Sequence, residues 1–330
     1  MSDVSVKRGG LFGNIDPAAI APFFALAVLL VVGVFVNESF LTVGNLTNVL
    51  TRSAFIAIIA VGATFVISAG GLDLSVGAMA AFVASLMILL MNTGTFGTGI
   101  PAIAIAMLAA LAIGAACGFL NGLIVTVGRI EPFIATLGTM GIFRGLTTWL
   151  AGGGSITMKS MELRDLYRPV YFGDVLGVPF PLLLILIMAA VGAFVFNRTA
   201  FGRHVIAVGS NEEVARYSGI PVRWVRTMTY VIQGLCVAVA VLVYVPRLGS
   251  ATATTGLLWE LQAITAVVIG GTALRGGVGR IWGTICGAFI LEIVGNIMVL
   301  SHFISEYLIG AVQGAIIIIA MLVQRSLTRR

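Results

Sequence analysis

Three ionisable side chains fall within, or at the end of, long apolar runs of this chain: Asp73, Arg144 and Glu292. A charge at mid-bilayer costs roughly 2.5–3.5 kcal/mol on insertion scales, so each is a functional candidate by default. Arg144 and Glu292 carry opposite charges and could pair across a helix bundle. Asp73 closes a Gly-Gly-Leu-Asp turn, where its carboxylate could cap the free N–H groups of a helix beginning at Leu74. Asn121, Thr136, Gln233, Gln262, Asn296 and Gln313 are uncharged polar residues in equally apolar surroundings. Such residues tie helices together at about 0.6 kcal/mol each. Sugar hydroxyls would be handled by the same residue types. The candidates for a polar translocation pathway are therefore Asp73, Asn121, Thr136, Arg144, Glu292 and Asn296.

Other chemistry is missing. The only lysines are Lys7 and Lys159, neither follows a glycine-rich loop, and no GxxxxGK[ST] motif occurs. The chain therefore has no P-loop to cradle ATP phosphates. His204 and His302 make no metal pair, and no Ser-His-Asp or Cys-His set can be assembled. Cys117, Cys236 and Cys286 lie in apolar blocks and read as packing residues. No catalytic residue, cofactor or metal site is expected, and the chain is not read as an enzyme. Glu131 and Glu260 sit near span edges. Carboxylates are too few for an obvious proton or sodium relay, which argues against an ion-coupled secondary transporter, the alternative reading.

The elements that must position these residues follow from composition. The 330 residues are 59% hydrophobic and only 10% charged, and the mean hydropathy is +1.10. A soluble domain carries about a quarter charged residues. Runs such as Ile185–Phe196 are too long and solid for the alternating strands of a β-barrel. An all-α integral membrane protein is expected, in one transmembrane domain covering 1–330. About ten spans of bilayer length can be drawn: 18–36, 53–70, 74–91, 101–126, 132–151, 180–197, 227–246, 258–272, 281–300 and 306–324. The eighth is short and could be partly re-entrant, sheltered by protein. The polar segment 1–17 leads into an ordinary span and is not read as a signal peptide.

Orientation comes from arginine. Lys7 and Arg8 precede the first span, and Arg325, Arg329 and Arg330 follow the last. The positive-inside rule then makes both termini cytoplasmic, including the tail 1–17. It also puts loop 198–226, with Arg198, Arg203, Arg216, Arg223 and Arg226, inside, and loop 152–178 outside in the periplasm. The net charge of +6 reports this orientation and not nucleic-acid binding. Membrane lipid is the expected surrounding. Gly114, Gly118 and Gly122 form a doubled small-xxx-small spacing, repeated at Gly141–Gly145, Gly283–Gly287 and Gly310–Gly314. This favours close helix packing. A faint echo links GGLDLSVG at 70–77 with GGTALRGGVG at 270–279.

The polar island AVGSNEEVARYSGIPVRWVR, Ala207–Arg226, is the unusual stretch. Asn211 reads as an N-cap, and Glu212 and Glu213 as first-turn carboxylates. Gly219 followed by Pro221 is a stop signal. The spacing predicts a short capped helix, which is more than a solvated loop requires and fits a docking element.

This island resembles the cytoplasmic loop of ABC-importer permeases for monosaccharides, of the ribose, xylose and arabinose type. Four other stretches resemble the same family in order: FLTVGNLTNVL (40–50), GGLDLSVGAM (70–79), NGLIVTVGRIEPFIATLGTMGIFRG (121–145) and AVVIGGTALRGGVGRIWGTICGA (266–288). The resemblance implies a type II-like ABC permease bundle in the bacterial inner membrane. It implies a dimer with a second copy or a close paralogue, and a periplasmic sugar-binding protein. It also implies a separate cytoplasmic ATPase that carries the ATP and Mg and docks on the island. The ATPase-coupling residues carried over are Asn211, Glu212, Arg216, Ser218 and Gly219. Arg216 and Glu292 depart from the small residues expected at those positions.

Overall fold

The computed structural model describes residues 17–301, together with 308, 310–312, 314–316 and 318. The chain opens with α1 (Pro17–Val36), a 3-10 turn at Glu38–Leu41, α2 (Val43–Arg52), α3 (Ala54–Ser68), α4 (Val76–Asn92), α5 (Ile100–Thr126) and α6 (Pro132–Leu150). Short pieces follow: β1 (Ser155–Thr157), α7 (Met161–Tyr167), α8 (Pro169–Phe172), and the pair β2 (Asp174–Val175) and β3 (Val178–Pro179). Then come α9 (Phe180–Arg198), α10 (Ala200–Ser210), α11 (Glu212–Tyr217) and α12 (Val222–Leu248). The last elements are β4 (Ser250–Thr252), α13 (Trp259–Ile269) and α14 (Ile281–Ser301).

The all-α expectation holds. Nine of the expected spans coincide with one helix each among the described residues: α1, α3, α4, α5, α6, α9, α12, α13 and α14. The tenth, 306–324, lies for the most part outside the described residues, Gln313 included, as does the tail up to residue 16. Among the described residues, five segments are long and apolar enough to cross a membrane: Val43–Ser68, Ile100–Thr126, Phe180–Arg198, Val222–Leu248 and Ile281–Ser301. Helix α13 has only 11 residues, about 16 Å at 1.5 Å per residue, half of a hydrocarbon core of about 30 Å. Irregular backbone flanks it. Gly256 packs on Gly77, and Gly270 packs on Gly283 and Thr284. Non-helical backbone at membrane depth is tolerated where protein shields it in this way.

Helix α12 is the axis of the bundle. It runs between α5 and α3 and is buried without interruption from Ala240 to Pro246. The α5 glycines do what their spacing predicts. A Cβ added at Gly114 would meet Gly234 and Ala238, one at Gly118 the Tyr230 carbonyl, and one at Gly122 Thr227. Gly283 and Gly287 likewise press on Gly270 and Ala266. The expectation fails for Gly141 and Gly145, which have nothing within 4 Å, because they lie on the exposed face of α6. Gly310 and Gly314 also meet nothing among the described residues.

The long loop 152–178 is more structured than its sequence indicates. β1 pairs antiparallel with β4, Ile156 opposite Ala251. The Tyr167 hydroxyl donates to the Leu242 carbonyl at 2.7 Å. Burial pushes the Tyr167 phenol above its usual range, so it stays a neutral donor. Asn92 Nδ2 donates to the Thr157 carbonyl at 2.8 Å, and Asn92 Oδ1 accepts from Lys159 N at 2.9 Å. These contacts fasten a cap over one end of the bundle; α10 and α11 sit at the other.

Candidate functional site

The polar island folds as its caps predict. The Asn211 side chain accepts from Val214 N at 3.0 Å and starts α11, Glu212–Tyr217. Gly219 has φ +78°, and Ile220 N donates to Ala215 O at 3.0 Å, the six-to-one bond of a glycine-terminated helix. Ser218 and Gly219 thus form the stop. Helix α10, not anticipated, precedes α11 directly. Its available signals are the Thr199 cap, which accepts from Gly202 N at 3.3 Å, and the core-facing pair Val205 and Val208.

Glu212 is the centre of the ion pairs here. It accepts from Arg216 at 2.6 Å within α11 and from Arg226 of α12 at 2.8 Å. Arg216, where the resemblance implies a small residue, therefore has a local partner. The Arg226–Glu212 bond joins α11 to the first turns of α12, although in the sequence Arg226 reads only as a loop arginine. The opposite face of α11 is open: Val214 is 59% and Tyr217 90% exposed. A cavity of about 900 Å³ adjoins α11, lined by Arg129, Arg216, Arg223 and Arg226 against only Glu131 and Glu212. This end of the molecule is thus electropositive.

The two glycine loops that echo one another meet beside α10. Gly277 N donates to Ser68 O at 2.9 Å, and Gly209 of α10 packs onto Ser68 and Gly277. The α3–α4 turn is held from both sides. Tyr230 of α12 donates to Leu72 O at 3.2 Å. Asn121 of α5 donates to Ser75 Oγ at 2.8 Å and to Asp73 at 3.4 Å. The ion pair thus links α11 to α12, and α12 contacts both α5 and the α3–α4 turn.

Of the six pathway candidates, Asp73 and Asn121 meet, whereas Thr136, Arg144, Glu292 and Asn296 have other partners. Asp73 is not the cap expected at Leu74. Its carboxylate accepts from Ser75 N at 2.8 Å and Ser75 Oγ at 2.7 Å, and the helix begins only at Val76. The turn needs two more residues than expected to reverse direction. The Arg144–Glu292 pair does not form. Arg144 donates to the carbonyls of Ala253 and Thr255, stapling α6 to the segment after β4. Glu292 pairs with Arg52 at 2.9 Å. Arg52 gives no signal in the sequence, where it reads as an ordinary arginine ahead of a span. Thr136 returns its hydroxyl to Pro132 O at 2.8 Å. Asn296 exchanges amide bonds with Asn45 at 2.8 and 3.0 Å, joining α14 to α2.

Asn121 is fully buried and supplies the donor that reaches both Ser75 and Asp73. Asn121→Leu should lower stability by about 1–3 kcal/mol, because it strands buried acceptors. A thermal-shift measurement on the purified protein checks this, and an unchanged midpoint would mean that the turn is held without Asn121.

Long apolar helices tied together by buried polar residues define a multi-pass membrane protein. Residues 45–321 match the family described as branched-chain amino acid transport system / permease component. The chain is 39% identical to the ribose import permease protein RbsC of Escherichia coli, across 91% of this chain and 91% of that one. It is 39% identical to RbsC of Bacillus subtilis, across 93% and 92%. It is 33% identical to the D-allose transport system permease protein AlsC of Escherichia coli, across 93% and 91%. The chain belongs to this family of ABC-importer permease components.

Proposed function

We propose that this chain is the membrane subunit of an ATP-driven importer that carries a monosaccharide across the bacterial inner membrane by alternating access. The observation that carries the reading is α11: a capped helix with Val214 and Tyr217 bare on one side and Glu212 bonded to Arg226 of α12 on the other. Both termini and loop 198–226 face the cytoplasm. A separate ATPase, holding ATP and Mg, docks on α11 through Asn211, Glu212, Arg216, Ser218 and Gly219. The arginine-lined cavity beside α11 calls for acidic residues on that partner. ATPase closure would move α11 as a rigid body and bias the bundle between two states, the physical content of coupling.

Loop 152–178 faces the periplasm, and its cap is a firm seat for a sugar-binding protein. The open glycine face of α6 is where a second copy or a paralogue would pack. Monosaccharide is preferred over branched-chain amino acid because the relatives matching almost full length are named for ribose and allose. A secondary transporter would need free intramembrane carboxylates, whereas Asp73 and Glu292 are already engaged by Ser75 and Arg52.

The test is ATPase activity of the reconstituted complex, with binding protein loaded by pentoses, hexoses or leucine. Stimulation by one sugar-loaded form is the expected result. Stimulation by leucine would overturn the substrate class. Uptake that follows an imposed ion gradient, with no ATPase in the complex, would overturn the importer reading.

A further inference from the structure

At the end of the bundle capped by β1 and β4 there is a cavity of about 350 Å³ that no role assigned so far uses. Its size lies at the low end of small-molecule sites, roughly 300–1,000 Å³. One wall is aromatic. Phe55 and Trp259 stack at 5.7 Å with ring planes 5° apart, and Tyr244 meets Trp259 edge-on at 5.4 Å. The lining also holds polar groups: the Arg52–Glu292 pair at 2.9 Å, Gln262, and Thr252, Thr254 and Thr255. The threonine hydroxyls are mutually bonded, Thr252 to Thr254 at 3.0 Å and to Thr255 at 3.3 Å. The threonine segment is fixed from outside by Arg144 on the carbonyls of Ala253 and Thr255 and by the pairing of β4 with β1.

We propose that this cavity is a low-affinity site for a neutral monosaccharide within the permease itself. A sugar presents C–H faces, which suit aromatic walls, and hydroxyls that both donate and accept. Arg52 offers donors, Glu292 acceptors, and threonine both. The Arg52–Glu292 pair is partly exposed, 49% and 25%, and contributes little to stability by itself, so its charged groups are free to reach a polar solute in the cavity. The lining carries two arginines, Arg52 and Arg247, against Glu292 alone. Arg247 is held over the Phe55 and Tyr171 rings, 5.6 and 5.5 Å from their centroids, so the choice of a neutral solute rests on the aromatic wall, and gluconate is the anion that would exploit the excess charge. The site would receive sugar released by the binding protein, and in that respect it rests on the sugar-importer reading.

The experiment uses the permease–ATPase complex in lipid nanodiscs, without binding protein. Trp149, Trp224 and Trp282, all exposed, are changed to Phe, which leaves Trp259 as the reporter. D-ribose, D-allose and sodium D-gluconate are titrated. The expected result is a saturable change in Trp259 emission with a neutral sugar, half-complete at about 1–10 mM, and none with gluconate. Glu292→Gln and Thr254→Val should each weaken it about tenfold. Thr254 is exposed, so its variant keeps the test valid if Glu292→Gln fails to assemble. No saturable response up to about 100 mM, preference for gluconate, or unchanged titration in Thr254→Val would overturn the proposal. ATPase stimulation by sugar-loaded binding protein, measured on the same preparation, separates the two readings. Stimulation without a Trp259 response sinks only this site. A response without stimulation sinks the importer reading and leaves the site standing.

Discussion

A Glu212→Arg permease is expected to reach the membrane and hold its fold while sugar uptake falls on the order of tenfold or more, the scale of a coupling free energy of about 1–3 kcal/mol. Glu212 is the one acceptor shared by Arg216 and Arg226. Reversing its charge leaves three guanidiniums together and frees α11 from α12. The pairs are partly exposed, 35% at Glu212 and 65% at Arg216, so their contribution to global stability is small. Their mechanical role is different, because the Arg226 bond ties α11 directly to the bundle axis. ATP hydrolysis should continue without responding to loaded binding protein. The exchanged double variant, Glu212→Arg with Arg226→Glu, should recover much of the uptake, since a double-mutant cycle isolates the pairwise link. Gly219→Pro should uncouple by another route: proline fixes φ near −65°, and Gly219 requires +78°. Wild-type uptake in both single variants would remove α11 from the coupling path.

The second large effect falls on folding. Gly118→Val should nearly eliminate the protein from the membrane. An added Cβ would fall on the Tyr230 carbonyl, which is backbone and cannot rotate away. Overpacking of this kind costs about 1–3 kcal/mol, occasionally more. Separating α5 from α12 would also strain the Thr126–Thr227 hydroxyl bond at 2.9 Å. Gly141→Val is the control. It has the same residue change and the same helical context, but nothing lies within 4 Å. Its membrane abundance should match wild type, and any loss should appear in the permease dimer. Quantitative immunoblotting of membranes, with cross-linking for the dimer, reads both. Equal losses for the two variants would mean that glycine is needed at these positions for some reason other than close approach.

Much of this protein was legible in one sequence. Helix spans follow from apolar runs, because a bilayer permits only segments that satisfy their own backbone bonds. Helix α11 was legible residue by residue, because the Asn211 cap, the first-turn carboxylates and the Gly219 stop all act within a few positions of one another. The α5 glycine stripe was legible for the same reason, as a local spacing on one helix.

What the tertiary structure decided is who meets whom. The sequence points Glu292 to Arg144, the arginine within a span, whereas its partner is Arg52, which nothing local singles out. The crossing of α14 beside the α2–α3 junction makes the choice and frees Arg144 to bind carbonyls after β4. Identical spacings at Gly118–Gly122 and Gly141–Gly145 likewise diverge because the α5 face that carries the first pair is packed by α12 whereas the α6 face that carries the second is exposed. Local hydrogen bonds, capping and hydropathy are properties of neighbouring residues and can be read along the chain. Ion-pair partners, buried glycine contacts and an aromatic-walled cavity depend on residues far apart in the chain, such as Arg52 and Glu292, and come into being only when the helices pack.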